Sequence, residues 1–181
     1  MTKKYQLEEG QIFAVPLSDD SFTIAQLCNH HIISAKSSQE TFAFFDYKFS
    51  RKEEIIKQID NLDLFKPFSL ASTNGYPWQY GWFLIGQREV KYNISFKDKL
   101  SSLGNYNSNS TDPSIFLEPY FGLFPWDGYF KDDYLNKHIL PNAKLRSDVK
   151  YLKDFTTEEL KTLLPVNSPK LIERLKEEQN S

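Results

Sequence analysis

Cysteine is nearly absent from the chain: Cys28 stands alone among 181 residues. No disulfide can form within the chain, and a reducing compartment is expected. Glycine is scarce too, at seven. Neither a G-x-x-x-x-G-K-S/T loop nor a G-x-G-x-x-G turn occurs, which removes the P-loop, kinase and dinucleotide readings together. No apolar run approaches the roughly 18–20 residues of a membrane-spanning helix, and the opening MTKKYQLEEG has no apolar h-region. The expectation is a cytoplasmic protein with no membrane partner. A dominant charge sign is missing as well. The net charge is −2 and both halves of the chain are balanced, so the basic footprint of a nucleic-acid binder is absent. No nucleic-acid partner is expected, whereas a slightly acidic protein tolerates a basic protein partner.

Aromatic residues are abundant: fifteen Phe, ten Tyr and three Trp make 15% of the chain. Such rings supply large buried area, and Tyr and Trp add a polar handle that suits interfaces as well as cores. With 40% apolar residues, the length suits one domain over 1–181. Its expected parts are a β-rich core over 5–98, a polar loop over 99–114, and an aromatic and helical extension over 115–181 packed on that core. The expected fold class is α+β, with a β-rich N-terminal half of the strongly bent, SH3-like antiparallel kind and one short helix, followed by an irregular and helical C-terminal half.

The residues behind this reading begin with two apolar runs, Ile12–Val15 and Phe22–Leu27, joined around Ser18-Asp19-Asp20-Ser21. They predict a hairpin, with Pro16 ending its strand or lying on an edge because it offers no ladder donor. Cys28, His30 and His31 close the second strand or begin a third. Thr41–Phe49, rich in β-branched and aromatic residues, is expected to be the central strand. Ser50 with Glu53 fits a capping box opening a helix that carries Ile55, Ile56, Ile59 and Leu62. Phe68–Thr73 reads as a strand, Asn74–Trp78 as a turn. YGWFLIG and REVKYNISF then read as a strand pair meeting near Gly86-Gln87, with one face of the second strand in water. The polar run Ser101–Ser114 is an internal boundary.

Beyond it, SIFLEPYFGLFPWDGYF is broken by Pro119, Gly122, Pro125 and Gly128, so long regular structure is not expected. Lys131–Leu140 suits one or two helical turns, and Val149–Leu152 a late strand. Thr156 with Glu159 repeats the capping box, and Pro169 after Ser168 sits at a first helical position.

Few residues invite chemistry. His30 and His31 are adjacent, so in a strand they point to opposite faces, while Cys28 and His30 share one. Two ligands without distant help make no metal site. A nucleophilic Cys28 would need a base among His30, His31 and His138, which no motif links to it. The adjacent acids Glu8-Glu9, Asp19-Asp20, Glu53-Glu54, Asp132-Asp133 and Glu158-Glu159 fit solvated turns and first helical turns. No catalytic residue, metal or cofactor is assigned. A hydrolase using Cys28 or a carboxylate pair stays as an alternative, as does a small SH3-like nucleic-acid- or protein-binding module.

What remains is surface. Pro125–Asp133 mixes Trp126, Tyr129 and Phe130 with Asp127, Asp132 and Asp133, and Asn74–Trp82 clusters Tyr76, Trp78, Tyr80 and Trp82 around a turn. Exposed rings beside carboxylates make a patch that grips a basic protein, the rings as anchors and the acids steering encounter. The competing reading is that Trp126 and Trp82 plug the core. The candidate partner-binding residues are Trp126, Asp127, Tyr129, Asp132, Asp133, Tyr76, Trp78, Asp19 and Asp20.

The order of these motifs resembles a known family. Glu9–Leu17, EGQIFAVPL, is similar to the E-G-D-I-F-A-I-P-L opening of the immunity protein 26 family of bacterial polymorphic-toxin systems. DDSFTIAQL resembles its second strand, FAFFDYK its aliphatic-aromatic strand ending near an Asp, and YGWFLIGQREV its G-W-x-x-I-G segment. Gln11 stands where the family carries an acid, and Asp20-Ser21 where it carries Asp-Gly. KapB-like and other small SH3-like barrels open with a similar strand. The resemblance implies an antitoxin: no enzyme, but a protein that neutralises a cognate toxin, often a nuclease, by stoichiometric binding. The hairpin would then be scaffold, with Asp19 and Asp20 free at its tip.

Overall fold

The computed structural model describes residues 6–34, 37–73, 76–91, 112–141 and 143–180. The chain divides into two compact units, Met1–Pro113 with His138–Lys144, and Ser114–Lys137 with Leu145–Ser181. The first unit is built on one antiparallel sheet of five strands: β1 (Gln11–Pro16), β2 (Phe22–Ser34), β3 (Ser37–Phe49), β4 (Ser69–Thr73) and β5 (Phe83–Gln87), in the order β4-β3-β2-β1-β5. The class is α+β with a β-rich N-terminal half, as the sequence pattern predicts.

The first hairpin forms where the alternation places it, Ile12 opposite Gln26 and Pro16 opposite Phe22. Pro16 ends β1, and β5 pairs with β1 only from Gln11 to Ala14, so no partner strand reaches the missing N–H. Leu17 N–H donates to Ser21 O (2.8 Å) across the tip, where Asp20 takes a positive φ of 64°. Thr41–Phe49 lies inside β3, but the central strand is β2, which also contains Cys28, His30 and His31.

Both faces of this sheet are apolar, which is why β2 and β3 read as near-continuous hydrophobic runs. On one face, Ile12, Ile24, Ala43, Phe45 and Leu70 pack with Ile55 of helix α1 (Lys52–Gln58) and with Leu62 and Leu64. On the other, the Trp82 ring meets Phe42, Phe44 and Phe13 with centroids 5.0, 5.8 and 6.3 Å away. Phe42, Phe44 and Phe45 are essentially fully buried, each worth about 1.5–3 kcal/mol of transfer free energy.

Two further expectations for this unit need correction. The Ser50–Glu53 capping box does not form. β3 runs to Phe49 and Ser50 is spent on the bend, so the extended residue before the helix is Arg51, with no side-chain cap. Residues 88–91 do not continue a strand pair, and β5 ends at Gln87. Arg88 draws the chain off the sheet, its Nη1 donating to Ile59 O (2.6 Å) and Leu62 O (2.9 Å) while its carbonyl accepts Gln26 Nε2 (2.9 Å). The rest of REVKYNISF with its wet-face expectation, most of the Ser101–Ser114 run, and Asn74-Gly75 lie outside the described residues.

The second unit contains helices α2 (Ser114–Tyr120), α3 (Thr157–Leu163) and α4 (Pro169–Gln179). Thr156 caps α3 as expected: its Oγ1 accepts Glu159 N–H (3.3 Å), and Glu159 Oε2 accepts Thr156 N–H (2.7 Å). Leu160 and Leu164 bury against Leu171 of α4 and Phe155. The strand expected at Val149–Leu152 is absent. Its main-chain groups are consumed by another segment, Lys150 O accepting Trp126 N–H (2.8 Å) and Leu152 N–H donating to Asp127 Oδ1 (2.8 Å), and a 3-10 turn follows at Leu152–Asp154. Among the described residues, no helix is long and apolar enough to cross a membrane.

Candidate functional site

Between β4 and β5 the chain makes a 3-10 turn, Pro77–Tyr80. Proline at its first position fixes φ where the helical turn needs it. Tyr76 N–H donates to Gln79 Oε1 (2.7 Å) and Gln79 N–H donates to Tyr76 O (2.9 Å), which locks the entry. Gly81 exits with φ 72°, and Trp82 N–H returns to Pro77 O (3.0 Å). The consequence is a division of the aromatic cluster. Trp82 turns into the sheet, while Tyr76 and Trp78 stack on each other in solvent, centroids 4.5 Å apart and planes 7° from parallel.

Beside this stack lies a cleft of about 280 Å³. Phe13 and Trp82 are its buried aromatic residues, Leu7 and Gln11 bring in the approach to β1, and Trp78 and Leu84 are exposed at its rim. Phe83, also lining it, is about half exposed and carries the Lys52 ammonium 4.4 Å from its ring centroid. Glu8 and Glu9, between the cleft residues Leu7 and Gln11, are exposed, and the Glu9 carbonyl accepts Gln87 Nε2 (3.2 Å). This is an aromatic surface with acids at its margin.

The other candidate residues are placed differently. At the hairpin tip, Asp19 Oδ2 pairs with Lys48 Nζ (2.8 Å), and Asp19 Oδ1 accepts from Ser21 N (3.2 Å) and Oγ. Partial burial pushes the Asp19 carboxyl up, but the hydrogen bonds from Lys48 and Ser21 outweigh it and hold the group below its ordinary value. Asp19 is therefore tied to Ser21 of the hairpin and to Lys48 of β3, and the neighbouring Asp20 is also exposed.

In the second unit, Trp126 is buried and its Nε1 donates to Asn136 Oδ1 (3.2 Å), so it belongs to the interior and not to an exposed patch. Asp127 accepts the Leu152 N–H already described. Tyr129 donates its hydroxyl to Ile115 O (3.1 Å) and packs between the rings of Phe124 and Tyr134, at 5.1 and 5.2 Å. Asp132 pairs with Lys170. Asp133 and Phe130 are exposed, the latter by 84%. The Pro125–Asp133 segment is thus divided: Trp126, Asp127 and Tyr129 are tied into the unit, while Phe130, Asp132 and Asp133 are exposed.

Cys28 and His30 do not share a face. The β2–β3 register slips between Leu27 and Asn29, leaving Cys28 as the extra residue of a bulge. Cys28 packs with Ile12, Ala43 and Phe45. His30 is opposite Glu40, which alternates with Phe42 and Phe44 on the Trp82 face. Glu40 is buried, accepts from Ser38 Oγ (2.6 Å), and has His30 Nδ1 3.1 Å away, within ion-pair range but not aligned as a hydrogen bond. Among the described residues, no group of three His, Cys, Asp or Glu could hold a metal ion.

No family model, curated protein or solved structure matches this chain. The site rests on its own geometry. Sequence reasoning singled out Tyr76 and Trp78 but missed Gln11, Phe83 and Leu84, and the only signal for the last two was that YGWFLIG forms an edge, where apolar side chains need not be covered.

Proposed function

We propose that the protein is an immunity protein, which neutralises a cognate bacterial toxin by binding it stoichiometrically, with no covalent step of its own. The observation that carries this reading is the solvent-facing Tyr76–Trp78 stack beside the cleft rimmed by Leu84. Rings already fixed by each other and by a locked 3-10 turn lose little rotamer freedom on complex formation, so more of their contact energy survives as affinity. Trp and Tyr are also the residue types that dominate binding hot spots. The exposed Glu8 and Glu9 suit a basic partner, the kind of surface a nuclease toxin presents. The resemblance of the EGQIFAVPL opening to immunity proteins points the same way.

The test is co-expression with the toxin encoded beside this gene. Cells survive when both are made and die when this protein is omitted. Death in both cases, with no complex on purification, overturns the proposal.

A further inference from the structure

The two edges of the five-stranded sheet are finished differently. β4, at one edge, is buried along its whole length, and Leu140 N–H donates to Phe68 O (2.9 Å) just before it. β5, at the other, reads FLIGQ and exposes Phe83 and Leu84 by 44% and 45%. Among the described residues, no strand lies on its outer side. Open edges are commonly guarded by charged side chains or proline, because their free N–H and C=O groups are a template for another strand. β5 has neither. Its one guard is a bulge: Phe13 is opposite Leu84 and Ile12 opposite Gly86, which leaves Ile85 as the extra residue with two paired residues on each side.

Charge is placed instead at the two ends of β5, with opposite sign. At the Phe83 end, Lys52 Nζ lies 4.4 Å from the ring centroid. Arg51 and Glu54 beside it pair with each other (3.5 Å), and Glu53 points roughly 100° away round the helix. At the Gln87 end, Gln87 Nε2 donates to Glu9 O (3.2 Å), and Glu8, Glu9 and Glu89 are exposed. The cations at that end are occupied, Arg88 by Ile59 O and Leu62 O, and Lys91 by the Phe65 ring at 5.2 Å. Among the described residues, Lys52, Glu9 and Glu89 have no ion-pair partner.

An edge that is positive at one end and negative at the other is the complement of itself turned round. Antiparallel pairing about a two-fold axis sets the Phe83 end of one copy against the Gln87 end of the other. Each Lys52 then meets the acidic end of the second copy, twice in one joint. A foreign strand would need that polarity by coincidence, whereas a second copy has it by symmetry. We infer that β5 is a self-association edge, across which two copies of this chain pair into one continuous sheet. The inference goes beyond the toxin-binding reading and does not depend on it. So short an edge makes a small interface, and the dimer forms reversibly with concentration.

The experiment is sedimentation of the full chain without toxin, from micromolar to near-millimolar concentration, with hydrogen exchange followed in the same samples. A reversible dimer is expected, tighter at low salt, with amide protection in Phe83–Gln87 rising as it forms. Lys52→Glu is expected to weaken it about tenfold, since one exposed ion pair is lost at each end of the joint. Adding Glu9→Lys and Glu89→Lys to the same chain is expected to restore it. Leu84→Lys, which charges an exposed edge position, is expected to give a folded monomer. A wild-type chain that stays monomeric throughout overturns the inference. So does a dimer that ignores Lys52→Glu and Leu84→Lys, because its contact lies elsewhere. Where a variant fails to fold, the wild-type exchange decides: protection that rises only in other strands, or in β5 only after toxin is added, overturns the inference as well.

Discussion

The rings of Tyr76 and Trp78 lie 4.5 Å apart and 7° from parallel, yet each keeps more than two-fifths of its surface in solvent. Here Pro77–Tyr80 form a 3-10 turn whose entry is fixed by Tyr76 and Gln79 and whose exit is the left-handed Gly81. Four residues beyond Trp78, Trp82 points the other way and is covered. One turn therefore separates an interior tryptophan from an exposed one.

Trp78→Ala is expected to weaken the toxin complex at least thirtyfold, about 2 kcal/mol for a hot-spot ring, while shifting the denaturation midpoint little. Titration calorimetry beside urea denaturation reads both quantities. A variant that loses stability but not affinity places Trp78 outside the interface.

Trp126→Ala should behave in the opposite way. The ring is buried and its Nε1 is bonded to Asn136, so truncation should cost about 3–5 kcal/mol of stability. Affinity, measured on whatever fraction remains folded, should be unchanged.

These two tryptophans show how far the sequence could be read. TrpTyr-rich segments around Gly and Pro look alike in composition at 74–82 and 125–133, and only the turn geometry and the main-chain bonds to Lys150 and Leu152 decide which faces water. The first hairpin was legible because its alternation and its acidic turn agree. The Thr156–Glu159 cap was legible because it is a purely local bond pair. The Cys28 bulge was not, since a register slip is set by the neighbouring strand and leaves no local pattern. The late strand at Val149–Leu152 failed for a related reason: its backbone partners lie more than twenty residues away.

Replacing Glu8 and Glu9 by Lys reverses exposed charge between two cleft residues, Leu7 and Gln11. Association with a basic toxin is expected to slow about tenfold at low salt, with much of the difference gone at high ionic strength. Stopped-flow mixing at two salt concentrations checks this, and dissociation rates should barely change.

Gly10→Ala tests the junction that holds β5 to the hairpin. Gly10 has φ 89°, and a Cβ there would meet Arg88 O at 2.4 Å, the same stretch in which Arg88 N–H donates to Gly10 O (2.9 Å). The left-handed backbone alone costs about 1–3 kcal/mol for a non-glycine residue, and the clash adds to it. Thermal denaturation should show the loss, with Gly81→Ala milder because a Cβ at that position meets nothing within 4 Å.

The Asp19 carboxyl, held below its ordinary value in the folded state, stabilises the fold above the unfolded pKa of about 3.9. That contribution is lost as pH falls through the lower folded value. Asp19→Asn should be less stable than the wild type at neutral pH, by under about 1 kcal/mol for so exposed a pair. The two stability curves should converge on acidification below pH 4. Curves that stay parallel through that window would show that the Lys48 and Ser21 contacts do not favour the ionised form.

The central claim is neutralisation by occupancy, and titrating a fixed amount of toxin with this protein while following toxin activity tests it most directly. The account predicts inhibition that rises linearly and breaks at one equivalent. Full inhibition at a few hundredths of an equivalent would mean that each molecule inactivates many toxins, and would contradict it.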